Sequence, residues 1–320
     1  MNDTRTDVLV TGGCGYIGSV LVPLLRGDDR VDTVRVMDSF ASGSPRALMG
    51  TLGDGDVRFR RGDVREYGDV ESAVRGVDTV VHLAAITGAD STHDRREETF
   101  AVNRDGTENT LRAAGKLGVD NVVFASSCNV YGRATSTEID EGVDPDPINP
   151  YAETKLEGEA SLRAFREDHD AHATALRMAT NDGDAPGVRF NLVVNAFVVR
   201  ALTDRALTVY GDGSNWRPFV HVRDAARAYA AAALEPENWS ELVYNVGSAA
   251  GNYRVREIAE IVREEVGPVD VTYLEDEHPG PSYHVDFDRL GGTGYEPEWT
   301  LREGVRDLAA RFRGQTDPEN

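Results

Sequence analysis

Lysine is almost absent from this 320-residue chain. Of its 34 basic residues only Lys116 and Lys155 are lysines; the rest are arginines. Cysteine is as scarce, with Cys14 and Cys128 alone, and two free thiols exclude a disulfide framework. No metal-ligand set is read in the sequence. There is no long apolar stretch, which excludes a membrane-spanning helix, and no secretory pattern at the N-terminus. A cytoplasmic protein is therefore expected. Positive charge is the remaining deficit. Fifty-five acids against 34 bases give a net charge of -21, which opposes nonspecific binding to nucleic acid or to an anionic membrane.

Such an acidic, lysine-poor surface resembles those of proteins from salt-loving organisms, in which salt screens self-repulsion. It describes the solvent and leaves the chemistry to the motifs. Val8-Leu9-Val10 has the length of a buried strand. Gly12, Gly15 and Gly18 follow at three-residue spacing, and Ser19 to Arg26 reads as a helix with Val20, Leu21, Leu24 and Leu25 on one side. A strand, a glycine turn and a helix start form an anion site: glycine lets the backbone approach a pyrophosphate, and free N–H groups point at it. The second strand, Thr33 to Met37, ends at Asp38, twenty residues after Gly18. A carboxylate at that distance accepts hydrogen bonds from an adenosine ribose, which favours NAD over NADP.

The alternation continues. Strands are expected at 57–60, 78–85, 121–125 and 173–178, with helices at 70–75, 97–117 and 150–168. This predicts a parallel sheet with helices on both faces. Residues 133–150, with three prolines and several acids, read as a loop. After Thr180 the alternation breaks down. A polar loop at 181–187, helices at 190–202, 224–234 and 254–266, and short strands at 207–210, 242–246 and 269–274 suggest a smaller substrate lobe. The expected division is a dinucleotide-binding domain over 1–178, with 205–246 partly returning to it, a lobe over 179–314, and a disordered tail at 315–320.

Tyr151 and Lys155 lie one turn apart on the helix that starts at Pro150, so both face the same way. A phenol titrates near ~10 and needs help to act as a base at neutral pH; a nearby ammonium supplies it. Ser127 can hold a substrate hydroxyl against the tyrosine oxygen. Tyr-x-x-x-Lys pairs are common on helix surfaces, but Lys155 is one of two lysines in an arginine-using chain. Arginine, with its bulk and fork geometry, would not replace it.

Thr11-Gly-Gly-Cys-Gly-Tyr-Ile-Gly18, Asp38, Gly62-Asp-Val64, His82-Leu-Ala-Ala85, Asn103, Ser126-Ser127, Val130-Tyr-Gly132 and Tyr151-x-x-x-Lys155 together resemble an extended short-chain dehydrogenase/reductase. Asn191-Leu192, the segment Gly211 to Asp224, and Gly294-Tyr-Glu-Pro297 before Leu301-Arg-Glu-Gly304 carry the likeness over nearly the whole chain. The branch it resembles is the NAD-dependent epimerase/dehydratase group, which acts on nucleotide sugars. The resemblance implies a Rossmann-type doubly wound α/β fold with a smaller, mixed α/β C-terminal lobe, NAD as cofactor, a UDP-sugar as substrate, and a homodimer in which helices 97–117 and 151–168 pack against their copies. It also implies site roles. Gly12, Gly15, Tyr16, Ile17 and Gly18 would hold the pyrophosphate, Asp38 the adenosine ribose, and Asp63 and Val64 the adenine. Leu83, Ala84, Ala85, Asn103 and Ser126 would line the nicotinamide half. Tyr151 would be the acid/base, Lys155 its partner and ribose ligand, and Ser127 the ligand of the substrate hydroxyl. Thr180, Asn191, Leu192, Arg217 and His278 would bind substrate.

The departures are informative. Dehydratases of this group carry an acid just before Val-Tyr-Gly; here the place holds Cys128-Asn129, which favours 4-epimerisation. Cys128 is expected to be a buried small residue before it is an acid. Asp182 is expected in solvent, with the sugar pocket as the alternative. His278 stands where an arginine grips the diphosphate. The expectation is thus an NAD-dependent nucleotide-sugar epimerase. Two alternatives stay open, a dehydrogenase or reductase of the same superfamily and a noncatalytic NAD-binding sensor.

Overall fold

A computed structural model describes residues 5–51, 55–88, 90–133, 138–274 and 280–314. Position 278 and the expected tail at 315–320 lie outside them. Strands β1 (Thr6–Thr11), β2 (Val31–Asp38), β3 (Val57–Arg61), β4 (Thr79–His82), β5 (Asn121–Ser127) and β6 (His172–Met178) alternate with α1 (Gly18–Arg26), α2 (Tyr67–Val74), α3 (Arg96–Phe100), α4 (Gly106–Leu117) and α5 (Pro150–Asp168). These strands form a parallel sheet, ordered β3-β2-β1-β4-β5-β6, and a later strand, β10 (Val243–Val246), pairs parallel with β6 as the seventh.

Both faces of this sheet are covered, which is why its strands read as continuous apolar runs. Val8 and Val10 pack in one core with Leu21, Leu25 and Ala228, while Leu9 between them enters a second core with Val70, Leu111 and Leu162. Successive side chains of a strand point to opposite faces, so one three-residue run feeds both cores. Helix α1 corrects one expectation. Its buried stripe is Leu21, Val22 and Leu25; Leu24 is exposed. The expected helix over 97–117 is broken by a π-helical turn, Ala101–Asp105, between α3 and α4.

The second half holds β7 (Thr180–Asp182), α6 (Val193–Leu202), β8 (Leu207–Tyr210), β9 (Trp216–His221), α7 (Val222–Leu234), β11 (Asn252–Arg254), α8 (Val255–Val266), β12 (Val271–Leu274), α9 (Asp288–Gly291) and α10 (Leu301–Phe312). Strand β9 pairs parallel with β7 and antiparallel with β11; β8 pairs with β12 alone. Helix α7 packs on α1, and β10 joins the large sheet. Helices α6, α8 and α10 share a third core with Leu207, Val209 and Phe219. Strands β7, β9 and β11 and helix α10 had no assigned element in the sequence reading. Helix α10 carries a readable signal, the capping box Thr300 and Glu303. Among the described residues no helix is long and apolar enough to cross a membrane.

Candidate active site

The glycine loop leaves β1 and closes against its surroundings. Gly12 has φ +69°, and a Cβ there would stand 2.8 Å from the Ala84 Cα at the exit of β4. A Cβ at Gly18 would stand 2.6 Å from the Gly13 backbone. Neither position admits another residue without displacing backbone. Gly15 donates back to the Gly12 carbonyl at 3.1 Å, while the amides of Tyr16 and Ile17 donate to no backbone carbonyl among the described residues. Two unspent N–H groups at the start of α1 suit an anion. The Asp38 carboxylate is held beside the loop: Oδ2 accepts from the Cys14 amide at 3.0 Å and Oδ1 from the Phe40 amide at 2.8 Å. The cradle thus has the glycine packing, free amides and placed acid that a dinucleotide needs.

Asp63 is committed to Arg65, with contacts of 2.6–3.1 Å, and the guanidinium holds its carboxyl below the usual range. Val64 is buried beneath Gly106, where a Cβ would come within 2.6 Å of it. Leu83 and Ala84 are tied to Thr11 through backbone and hydroxyl, and with Ala85 they are half-buried at the end of β4. Asn103 sits in the π-helical turn and works as a clamp. It accepts from the Ile86 amide at 2.7 Å and donates to the Ile86 carbonyl at 2.9 Å and to Thr154 Oγ1 at 3.0 Å. It therefore ties the 83–88 segment to α5, between Tyr151 and Lys155.

Asn149 caps α5 by accepting from the Ala152 amide, and Pro150 fits the first turn. That start presents Tyr151 and Lys155 to the end of β5. The Ser127 hydroxyl is close enough to the Tyr151 phenol to pull its titration down, and it accepts from the amide and side chain of Asn129, both at 3.2 Å. Lys155 is buried, its Nζ 5.7 Å from the centre of the Tyr151 ring and 5.0 Å from that of Phe124. Burial pulls the ammonium down to about 7, against an upward pull from Glu159. Burial also pushes the Tyr151 phenol up, with Ser127 and the Arg189 charge pulling the other way. The expected lowering of the phenol by Lys155 is not found in this state, because desolvation acts on both groups. Ser126 turns away from the pair and donates to Glu159 Oε1 at 2.5 Å.

The sequence profile of the NAD dependent epimerase/dehydratase family matches residues 8–247. The chain belongs to that family. The "Low-salt glycan biosynthesis protein Agl12" of Haloferax volcanii is 31% identical over 97% of this chain and all of that protein. A dTDP-glucose 4,6-dehydratase of Actinoplanes is 31% identical over 96% of this chain and 97% of the relative. The crystal structure of Thermus thermophilus UDP-glucose 4-epimerase in complex with NAD superposes with a TM-score of 0.81 at 30% identity, covering 97% of this chain and all of that one. Family membership makes NAD the cofactor, and the cradle fits it.

On the substrate side, this family member departs from several sequence expectations. Cys128 is buried, donates to the Arg177 carbonyl at 3.2 Å, and has its thiol pushed up by burial, so it is no acid poised for proton transfer. Asp182 is neither in solvent nor in a pocket. It is 1% exposed, and Gly304 packs so closely that a Cβ there would overlap Asp182 Oδ1; burial raises its carboxyl well above the usual range. Thr180 is half-buried in β7, paired with Phe219. Leu192 caps the start of α6 and packs near Tyr16. The Arg217 guanidinium stacks on Tyr283 at 5.1 Å and donates to the Pro281 carbonyl. Tyr283 in turn reaches Asn129 Oδ1 at 3.4 Å, which joins Arg217 to the Ser127 wall.

One residue escaped the sequence reading. Arg189 donates from Nε to Asn191 Oδ1 at 3.3 Å, and its charge acts on the Tyr151 phenol. No motif singles it out among so many arginines. The only signal was its position two residues before Asn191.

Proposed function

We propose that this family member is a nucleotide-sugar 4-epimerase, with a UDP-sugar as substrate. The observation that carries the reading is Ser127 set against the Tyr151 phenol with the Lys155 amine one turn further along α5, beside a Cys128-Asn129 pair that offers no carboxylate for elimination. Ser127 takes the C4 hydroxyl and aims its proton at the Tyr151 oxygen. Tyr151 accepts that proton as base and returns it as acid. Lys155, when protonated, stabilises the phenolate between those events and reaches the ribose. Bound NAD supplies a reversible hydride acceptor, so the sugar carbon is oxidised and then reduced on its opposite face with no net consumption. Gly12, Gly15 and Gly18 with the Tyr16 and Ile17 amides hold the pyrophosphate, Asp38 the ribose, and Asp63-Val64 the adenine. Ala84, Ala85 and Asn103 shape the nicotinamide half, and Asn191, Leu192 and Arg217 the nucleotide diphosphate. The same reading divides the chain near residue 178 into cofactor and substrate units and expects a homodimer through α4 and α5.

The test incubates protein prepared in high salt with UDP- and dTDP-sugars, following the 340-nm band and the sugar products. The expected result is an inverted sugar without lasting NADH, and a Tyr151→Phe protein slowed by about 10²–10⁴-fold with its NAD retained. Accumulating NADH would move the chain to the dehydrogenases, and a dehydrated keto-sugar to the dehydratases.

A further inference from the structure

Two serines stand side by side at the end of β5, and their hydroxyls are engaged differently. Ser126 Oγ donates to the buried Glu159 carboxylate, at Oε1, at 2.5 Å. Ser127 Oγ faces an amide instead. It accepts from the Asn129 backbone N–H and from Asn129 Nδ2, both at 3.2 Å. The capping turn at the head of Cys128–Tyr131 uses only the first of these bonds; the second belongs to the side chain. A hydroxyl has two acceptor sites and one proton. With both acceptor sites filled, the Ser127 proton has to be donated elsewhere. The Asn129 amide is oriented from its other end, where the Tyr283 hydroxyl donates to Oδ1 at 3.4 Å. Tyr283 is buried, and burial pushes its phenol up to about 12, so that proton is present at neutral pH. The Arg217 guanidinium stacks on the Tyr283 ring, 5.1 Å from its centre, and holds the ring in place.

We propose that Asn129 is a positioning residue: it fills both acceptor sites of Ser127 and so makes that hydroxyl an obligate donor toward the reacting oxygens. This rests on the roles given to Ser127 and Tyr151 above. The chemistry asks for a donor there throughout. With no sugar bound, the Ser127 proton is offered to the Tyr151 oxygen, and a phenolate gains more from it than a phenol does. Once the C4 hydroxyl has passed its proton to Tyr151 and C4 is oxidised, the sugar oxygen is a carbonyl, which can only accept. A serine free to rotate would spend part of its time as an acceptor; one held as a donor is preorganised for both states. Position 129 therefore does more than lack a carboxylate. An acid there would take the Ser127 proton, as Glu159 takes that of Ser126.

The experiment reads the ionisation of Tyr151 and then turnover. In NAD-loaded protein in concentrated KCl, ultraviolet phenolate absorbance is followed against pH, and the Tyr151 contribution is the part lost in Tyr151→Phe. Asn129→Leu, neutral and similar in size, should move that titration to higher pH. On a Ser127→Ala background the same substitution should move it no further. In the epimerase assay Asn129→Leu should lower kcat about 10-fold, with KM within about 3-fold of the parent, and displace the pH profile of kcat in the same direction. Tyr283→Phe, which releases the amide but leaves it in place, should give a smaller displacement of the same sign, and it carries the test if Asn129→Leu does not fold. A displacement of equal size with and without Ser127 would mean that Asn129 only packs the site, and would overturn the proposal; so would an unmoved titration. No turnover of any nucleotide sugar by the parent would remove that reading of the substrate, and the phenolate titration would still decide this one.

Discussion

At the scale of single residues, the site is built around a lysine kept in a place that opposes its charge. Lys155 ordinarily titrates near 10.5, and burial brings it to about 7 in the folded chain. Below pH 7 it is protonated whether folded or not, and the fold bears the full cost of burying an ammonium. Between pH 7 and 10.5 the unfolded chain holds a proton that the folded chain has released. This group therefore makes stability rise with pH across that window, by about 1.4 kcal/mol for each step of one in pH. Lys155→Met should unfold at higher denaturant than the parent at pH 6, and the advantage should shrink by pH 9, in NAD-free protein. An advantage that does not depend on pH would show that Lys155 is not the group titrating. Tyr151 and Lys155 stood out as candidates in the sequence because helical spacing and lysine scarcity mark them, and Ser127 because it follows an apolar strand run. Arg189 did not, because its approach to the 83–88 segment at Gly88 is a contact distant in sequence, which leaves no trace in local sequence.

At the scale of elements, the helix α5 that carries Tyr151 and Lys155 is fastened to the sheet from behind. Glu159, one turn past Lys155, accepts from Ser126 and from Arg177 at both carboxylate oxygens, at 2.9 and 2.7 Å. Arg177 also donates to the Tyr131 hydroxyl at 3.0 Å, which donates to Asn245 Oδ1 at 2.6 Å. One buried network thus joins α5, β5, β6 and β10. Removing one partner leaves an uncompensated buried charge, so Arg177→Met should cost about 3–5 kcal/mol, and adding Glu159→Gln to it should recover part of that loss. Denaturant unfolding of the two single variants and the double variant measures the coupling; strictly additive losses would mean that the pair is not one unit. The parallel sheet and its helices were legible because two-sided burial writes continuous apolar runs into β1, β4 and β5. The strands β7, β9 and β11 were not. β7 and β11 are three residues each, β9 contains Pro218 and charged Arg217, and their pairing is specified by contacts distant in sequence, such as Asp182 against Gly304 of α10.

At the scale of the whole molecule, a net charge of -21 is a self-repulsion that the core must withstand. Local pairing relieves little of it, since exposed ion pairs such as Arg302–Glu264 and Arg263–Glu260 contribute at most about 1 kcal/mol each. What remains is screened by salt, with a Debye length of about 10 Å at 0.1 M and 3 Å at 1 M. The end of α5 adds to this repulsion. Glu167 and Asp168 are exposed in its last turn, where the helix dipole is also unfavourable to acids. Replacing both with lysine changes each charge by two units and takes the net charge from -21 to about -17, while leaving the network beneath α5 untouched. The doubly substituted protein should melt about 1–3 °C above the parent in 0.2 M KCl, and the difference should fall toward zero in 3 M KCl. Calorimetry at the two salt concentrations decides this. A gain of equal size in both would count against screened repulsion, and would place the effect in the altered helix end alone. Loss of the gain at high salt would mean that the acidic surface trades stability in dilute solution for charge that concentrated salt renders harmless.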